Sequence, residues 1–133
     1  MSLEGLNIVE SRFGHAETVA RLVNAVTSRH MTVMARIDHA EGAAAVGMAL
    51  RPTLVMLFGN PRGGTPLMQA VQTIGIDLPL KMLVWEDEAG ITWLGYNDPA
   101  WIAARHGLEA SDLTGPMAAA LAAIADEVAG QSG

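Results

Sequence analysis

Six polar residues have side chains that could bind a ligand or take part in a reaction. They lie inside predicted strands or in the turns that follow them: Asp38, His39, Asn60, Arg62, Lys81 and Asn97. Ligands of open sheets tend to bind beyond the carboxyl ends of strands, provided that neighbouring strands run parallel. Because Asp38, Asn60 and Asn97 each stand at or just beyond the end of a predicted strand, we interpret the six residues as a candidate ligand site.

The turn after the central predicted strand has features of an anion site. Residues 59–66 read Gly-Asn-Pro-Arg-Gly-Gly-Thr-Pro. Backbone N–H groups at the start of a helix attract phosphate and carboxylate groups, and Arg62 and Lys81 could add positive charge. The segment lacks the Gly-Lys-Ser/Thr ending of a P-loop and the spacing of a dinucleotide fingerprint. The alternative interpretation is a glycine-rich turn that leads into a capped helix.

His39 and Lys81 are the candidate catalytic residues. Histidine ordinarily titrates near neutrality, so His39 could act as a general base. Lys81 could stabilise developing negative charge or act as a nucleophile. Structural roles are equally open, since Asp38 or His39 could cap the following helix and Lys81 could extend its amine to water along the sheet.

Composition argues against several classes of protein. With 8 Lys and Arg against 14 Asp and Glu, a formal net charge of −6 and no basic run, the chain is not expected to bind nucleic acid. Its longest uncharged apolar run, residues 117–125, is about half the roughly 20 residues of a membrane span. No secretory signal is visible, so we predict a cytoplasmic protein without a membrane partner. There is no cysteine, and the histidines lack metal-binding spacing, so we predict no metal and no cofactor.

The hydrophobic pattern predicts the element order β-α-β-α-β-α-β-β-α-α. The main predicted strands cover residues 6–13, 32–38, 54–58, 80–86 and 91–96, and the main helices cover residues 15–30, 40–50 and 66–74 and the chain from 116 onward. Helices separate most of the strands, and a hairpin follows late in the chain. We therefore predict one α+β domain over residues 1–133, with a mixed sheet of about five strands packed by helices.

The predicted hairpin carries large apolar side chains on both of its faces. Met82 and Val84 alternate with Leu83 and Trp85 in its first strand, and residues 87–90 form the turn. A strand with two apolar faces needs cover on each side. We expect helices on one side and a partner subunit on the other.

Six segments, in this order along the chain, carry a family resemblance: Ala35-Arg36-Ile37-Asp38-His39-Ala40, Phe58-Gly59-Asn60-Pro61, Thr65-Pro66-Leu67-Met68, Asp77-Leu78-Pro79-Leu80-Lys81, Val84-Trp85-Glu86 and Tyr96-Asn97-Asp98-Pro99. Through them the chain resembles the DUF302 family of small bacterial and archaeal domains. The resemblance implies a compact α+β domain that forms a homodimer. It implies no activity and supplies no catalytic residues.

Three functional hypotheses follow. The first is a binding domain for a small anionic ligand held near Asn60, Arg62 and Lys81, with Asp38 or His39 nearby. The second is an enzyme with His39 as general base and Lys81 as electrostatic stabiliser. The third is a dimeric interaction module without a ligand.

Overall fold

A computed structural model describes residues 3–108 and 111–131. Along the chain the elements are β1 (Leu6–Glu10), α1 (His15–Thr27), β2 (Thr32–Asp38), α2 (His39–Ala45), β3 (Thr53–Gly59), α3 (Pro61–Ala70), a 3₁₀ helix (Gln72–Asp77), β4 (Leu80–Glu86), β5 (Thr92–Asn97), α4 (Pro99–Arg105) and α5 (Ser111–Ala129). The predicted order of strands and α-helices is confirmed.

The five strands form one sheet in the order β1-β5-β4-β3-β2. The predicted α+β class, with a hairpin formed by β4 and β5, is confirmed. All four neighbouring pairs are antiparallel, whereas we had predicted a mixed sheet. The strands that flank α2 and α3 are hydrogen-bonded neighbours that run in opposite directions, so these helices connect antiparallel strands and do not form parallel crossovers.

One face of the sheet packs against α1 and α5. Alternate residues of the central strands, such as Met56, Met82 and Leu94, point to this face and are fully buried. Helix α1 contributes Leu22 and α5 contributes Ile124 to the same cluster. A second, smaller cluster joins α3, the 3₁₀ helix and α4 through Leu67, Ile74 and Ile102.

Helix α3 begins earlier than its sequence pattern indicated. We predicted Thr65 and Pro66 as its cap and first residue, but it begins at Pro61, and the side chain of Asn60 accepts a hydrogen bond from the N–H of Arg62. Asparagine before proline forms an equally good start signal. Pro66 therefore lies inside the helix, where it has no N–H to donate to the carbonyl four residues earlier.

Other boundaries also differ from the prediction. Strand β1 ends at Glu10, α2 ends at Ala45, and α5 begins at Ser111 with Pro116 inside it. The bounds of β2 and β4 agree with the prediction. Apolar residues alternate along β2, and β4 is apolar over most of its length. Clear turn signals bound both strands.

Candidate functional site

A cavity of about 540 Å³ lies at the edge of the sheet where β3 ends and β4 begins. Its wall is formed by the start of β2, the chain from the end of β3 through α3 to Met68, the segment that leads into β4 and the middle of α5. Twelve apolar side chains contribute to it: Met31, Met34, Pro61, Met68, Leu78, Pro79, Leu80, Pro116, Met117, Ala120, Leu121 and Ile124. A volume of this size is typical of small-molecule sites.

Asn60 fixes the position of the cavity wall at the point where β3 turns into α3. Its Oδ1 accepts from the N–H of Arg62 at 2.9 Å, and its Nδ2 donates to the carbonyl of His30 at 3.2 Å. The second bond ties the start of α3 to the loop before β2. Asn60 therefore holds together two segments of the chain that line the same space.

A β-bulge brings an additional methionine to the wall. The pairing of β2 with β3 shifts between Val33 and Ala35, so Met34 has no direct partner in the register. Its methyl group lies 3.9 Å from the position that a Cβ on Gly59 would occupy. Bulges redirect a side chain relative to the simple alternation of a strand, and here the redirected side chain is part of the cavity.

The cavity wall is rich in thioethers and has few polar groups. Met31, Met34, Met68 and Met117 are four of the eight methionines in the chain. The polar side chains on the wall are those of Asn60 and Thr65, and among the described residues no Asp, Glu, Lys, Arg or His lines it. Methionine is flexible and polarisable, so such a wall can adapt its shape to an apolar guest. A buried ion would find no counter-charge there.

The structure separates Asp38 and His39 from Asn60. Asp38 pairs with Leu54 at the opposite end of β3, and at about 3.4 Å per residue the six residues from Leu54 to Asn60 span about 20 Å. The cause is the antiparallel pairing of β2 and β3, which places their carboxyl ends at opposite edges of the sheet. Asp38 caps α2 by accepting from the N–H of Glu41 at 2.9 Å, as one of our alternatives proposed, and His39 is exposed as the first residue of α2.

Three predicted site residues share the edge of the sheet with the cavity, although none of them lines it. Arg62 is exposed in the first turn of α3, and Asn97 is half-buried at the end of β5, two strands away from β3. The Nζ of Lys81 donates to the carbonyls of Asp77 and Pro79 at 3.3 and 3.4 Å. Of the six predicted residues, Asn60 alone lines the cavity.

Two shifted pKa values lie outside this site. Burial raises the pKa of Tyr96 above its usual value of 10.0. The pKa of Asp87 lies below its usual value of 3.8, chiefly because Trp93 donates a hydrogen bond to its carboxylate. Tyr96 belongs to the main core and Asp87 to the β4–β5 turn, so neither marks the cavity as a centre of acid–base chemistry.

The cavity was missed in the sequence because its wall comes from four separate segments of the chain. The methionines at positions 31, 34, 68 and 117 show no common period. The one available signal was the number of methionines in a chain with few aromatic residues. Within the described ranges, 3–108 and 111–131, no group of three or more potential metal-ligating His, Asp or Glu residues occurs.

The structure is a small α+β domain with an apolar cavity at one edge of its sheet, and comparison with known proteins assigns its family. Residues 7–128 match the family described as "Domain of unknown function DUF302". The chain belongs to this family, and the expected resemblance is confirmed. A crystal structure of an uncharacterised DUF302 protein from Bacillus stearothermophilus has the same fold, with a TM-score of 0.86 at 20% identity, and the match covers 95% of this chain and 99% of that one.

Curated relatives are considerably longer than this chain. Proteins named "Fluoride-specific ion channel FluC 1" from Brucella suis and Brucella abortus are each 51% identical to it over 104 residues. These residues are 78% of this chain but only 41% and 38% of the two relatives. Within the part of this chain that the structure describes, no helix is long and apolar enough to cross a membrane.

Proposed function

We propose that this domain binds a small, uncharged and largely apolar molecule in the methionine-lined cavity. The observation that carries the proposal is an open space of about 540 Å³ whose described wall is apolar except for Asn60 and Thr65. An apolar guest would replace water against the thioether and aliphatic groups. A hydroxyl or carbonyl group on the guest would find hydrogen-bonding partners at Asn60 and Thr65.

The choice of an uncharged ligand departs from our prediction of an anionic one. Arg62 and Lys81 were the cations expected to bind it, and both lie off the wall. Desolvating a carboxylate or phosphate against methionine and leucine side chains would cost several kcal/mol without a paired charge. An enzyme based on His39 and Lys81 is also less well supported, since His39 begins α2 beyond Asp38 while Lys81 pairs with Leu57 near the far end of β3.

Two neighbouring alanines of α5 provide a matched test. Ala120 lines the cavity, whereas Ala119 is exposed and does not. We expect the neutral dye N-phenyl-1-naphthylamine to bind the wild type saturably, with enhanced fluorescence. Ala120→Phe should abolish this binding by filling the space, and Ala119→Phe should preserve it. Absence of saturable binding in the wild type, or equal binding in both variants, would contradict the proposal.

The dimer expected from the sequence has a candidate interface on the second face of the sheet. Val55, Leu57, Leu83, Trp85 and Trp93 share this face and are only half-buried. Within residues 3–108 and 111–131, neither buried cluster includes any of them. A contiguous apolar face of this kind is typical of a surface that a second subunit covers.

Sedimentation tests the dimer. The wild type should sediment at twice the chain mass of 14.0 kDa, because burying the face in a second copy removes it from water. Leu83→Glu, which places a charge at the centre of the face, should yield monomers. Ala122→Glu, on the exposed side of α5, is the control and should leave the dimer intact. A wild type that remains monomeric at high concentration would exclude this interface.

The curated relatives favour a second candidate function, that of an accessory domain of a fluoride channel. Its support is the 51% identity over 104 residues to proteins with that name. The test compares fluoride efflux from liposomes that contain either a full-length relative or the same relative without the matched segment. Efflux that falls on removal and recovers when this chain is added would support the role, and unchanged efflux would exclude it.

A further inference from the structure

A hydroxyl, an imidazole and a carboxylate form a continuous hydrogen-bonded chain outside the cavity. His106 Nε2 lies 2.5 Å from Asp77 Oδ2, and His106 Nδ1 lies 2.9 Å from Thr73 Oγ1. The side chains of His106 and Asp77 are 8% and 13% exposed, while Thr73 is exposed at the surface. Thr73 and His106 are 33 residues apart, so no local sequence pattern indicates this group.

The charges around the imidazole determine which way its hydrogen bonds run. Arg105 Nη1 donates to both carboxylate oxygens of Asp77, at 2.8 and 2.9 Å, and a carboxylate can only accept hydrogen bonds. His106 Nε2 therefore carries the proton that points to Asp77. In the neutral ring, Nδ1 is then an acceptor, so the hydroxyl of Thr73 donates to it.

We propose that Thr73 is a nucleophile, activated by His106, that accepts the acyl group of a small apolar ester. Thr73, His106 and Asp77 follow one another as the nucleophile, base and carboxylate of a catalytic triad do. Here Nδ1 of the imidazole faces the hydroxyl and Nε2 faces the carboxylate, the reverse of the serine protease arrangement. Asp77 is the positioning residue, because it fixes the orientation and tautomer of the ring. This site lies outside the cavity and does not depend on the function proposed for it.

The neighbouring surface indicates the class of ester. Residues three apart lie on the same side of a 3₁₀ helix, so Ile76 is beside Thr73. Ile76 is 74% exposed, the largest exposed fraction among the large apolar residues described. An aliphatic acyl group could cover Ile76 while its carbonyl carbon meets the hydroxyl of Thr73. Two cationic side chains contact Asp77: Arg105 binds its carboxylate and Lys81 binds its backbone carbonyl.

The reaction is a balanced acyl transfer. Thr73 Oγ forms a bond to the acyl carbon, and the hydroxyl proton of Thr73 moves to His106 Nδ1. The ester C–O bond then breaks, and His106 gives the proton to the leaving alkoxide. A water molecule then attacks the acyl carbon and gives its proton to His106 Nδ1. The C–O bond to Thr73 breaks, Thr73 regains a proton from His106, and the carboxylic acid leaves.

The test is acylation of the full chain by p-nitrophenyl butyrate, with the modified residue located by peptide mass mapping. Thr27 is the internal control, because it is also exposed but its hydroxyl donates to the carbonyls of Val23 and Asn24. We expect Thr73 to be butyrylated at least about tenfold faster than Thr27, since a general base contributes a factor of that order or more. Thr73→Val, which keeps the shape of the side chain, should remove the modification.

Two further variants separate chemistry from structure. His106→Gln should reduce butyrylation of Thr73 to the level of Thr27 while the thermal transition remains cooperative. Asp77→Asn should lower the maximal acylation rate but leave unchanged the ester concentration at which half of that rate is reached. A purely structural role for Asp77 would not change the one value without the other. Equal modification of Thr73 and Thr27, or modification that persists in His106→Gln, would overturn the proposal. The hydrogen bonds of His106 to Thr73 and Asp77 would then only connect the 3₁₀ helix to α4.

Discussion

Trp93 donates its indole N–H to the carboxylate of Asp87 at 2.8 Å. The other oxygen of Asp87 accepts from the backbone N–H groups of Ala89 and Ile91, both at 2.9 Å. One carboxylate thus organises the whole turn between β4 and β5. Hydrogen bonds of this kind favour the ionised form, and they lower the pKa of Asp87 below 3.8.

The first prediction is that Asp87→Asn destabilises the domain in a pH-dependent way. A carboxylate whose pKa is lowered by folding stabilises the protein above its unfolded pKa, and this stabilisation is lost as the pH falls through the folded value. The midpoint of urea unfolding should therefore be lower in Asp87→Asn than in the wild type near neutrality. The two midpoints should converge as the pH falls below 3.8.

Glu88→Gln is the matched control for this prediction. Glu88 is the next residue in the same turn and is exposed. Its substitution changes the net charge by the same amount and should leave the unfolding midpoint nearly unchanged. A difference between Asp87→Asn and the wild type that stays constant from neutral to acid pH would contradict the argument.

The second prediction concerns Asn60, whose side chain connects the end of β3 to the loop before β2 by a hydrogen bond. Asn60→Ala removes both the cap of α3 and the bond to His30, and should lower the free energy of unfolding by about 1–3 kcal/mol. Asn60→Asp keeps an acceptor for the N–H of Arg62 but has no donor for His30, so its loss should be smaller. Urea denaturation measures both values, and equal losses would show that the cap contributes nothing.

The third prediction separates backbone strain from a side-chain clash at Gly5. Gly5 and Gly47 share a φ of +76°, a left-handed conformation that favours glycine. A Cβ on Gly5 would lie 2.4 Å from the ring of Trp101, whereas a Cβ on Gly47 would meet nothing within 4 Å. Gly47→Ala should therefore cost about 1 kcal/mol from strain alone, and Gly5→Ala more, because the indole must also move.

A double variant checks this third prediction. Adding Trp101→Ala to Gly5→Ala removes the clash and should reduce the cost of Gly5→Ala to that of Gly47→Ala, once the cost of Trp101→Ala alone is subtracted. Double-mutant analysis of unfolding free energies gives this coupling directly. Zero coupling would mean that the indole shifts without cost.

Local patterns predicted the elements well where a single periodicity prevailed. In β2 and β4, turn signals bound an alternating or continuously apolar run, and the predicted bounds agree with the structure. In α3 two signals competed, since both Asn60-Pro61 and Thr65-Pro66 form a cap followed by proline. Sequence alone does not rank them, and the bond from Asn60 to His30 depends on tertiary structure.

The candidate site was harder to predict because it depends on strand direction. Asp38 and Asn60 both follow strands, and placing them together required parallel neighbours. The antiparallel register of β2 with β3 separates them. Likewise, no local pattern connects Met31, Met68 and Met117, which meet only when β2, α3 and α5 pack around one space.

The last prediction distinguishes the sealed core from the cavity wall by two adjacent residues of α3. Leu67 is 1% exposed in the cluster with Ile74 and Ile102, whereas Met68 is half-buried on the cavity wall. Leu67→Ala leaves an unfilled space in a closed cluster and should cost about 2–5 kcal/mol. Met68→Ala only enlarges a space that is already open, so it should cost less in the same urea denaturation experiment.

Ile76→Ala completes the comparison as a surface control. Ile76 is 74% exposed, so its truncation should change the free energy of unfolding by no more than about 0.5 kcal/mol. The expected order of cost is Leu67→Ala, then Met68→Ala, then Ile76→Ala. If Met68→Ala cost as much as Leu67→Ala, the wall around Met68 would be as tightly packed as the core, and too little space would remain there for a ligand.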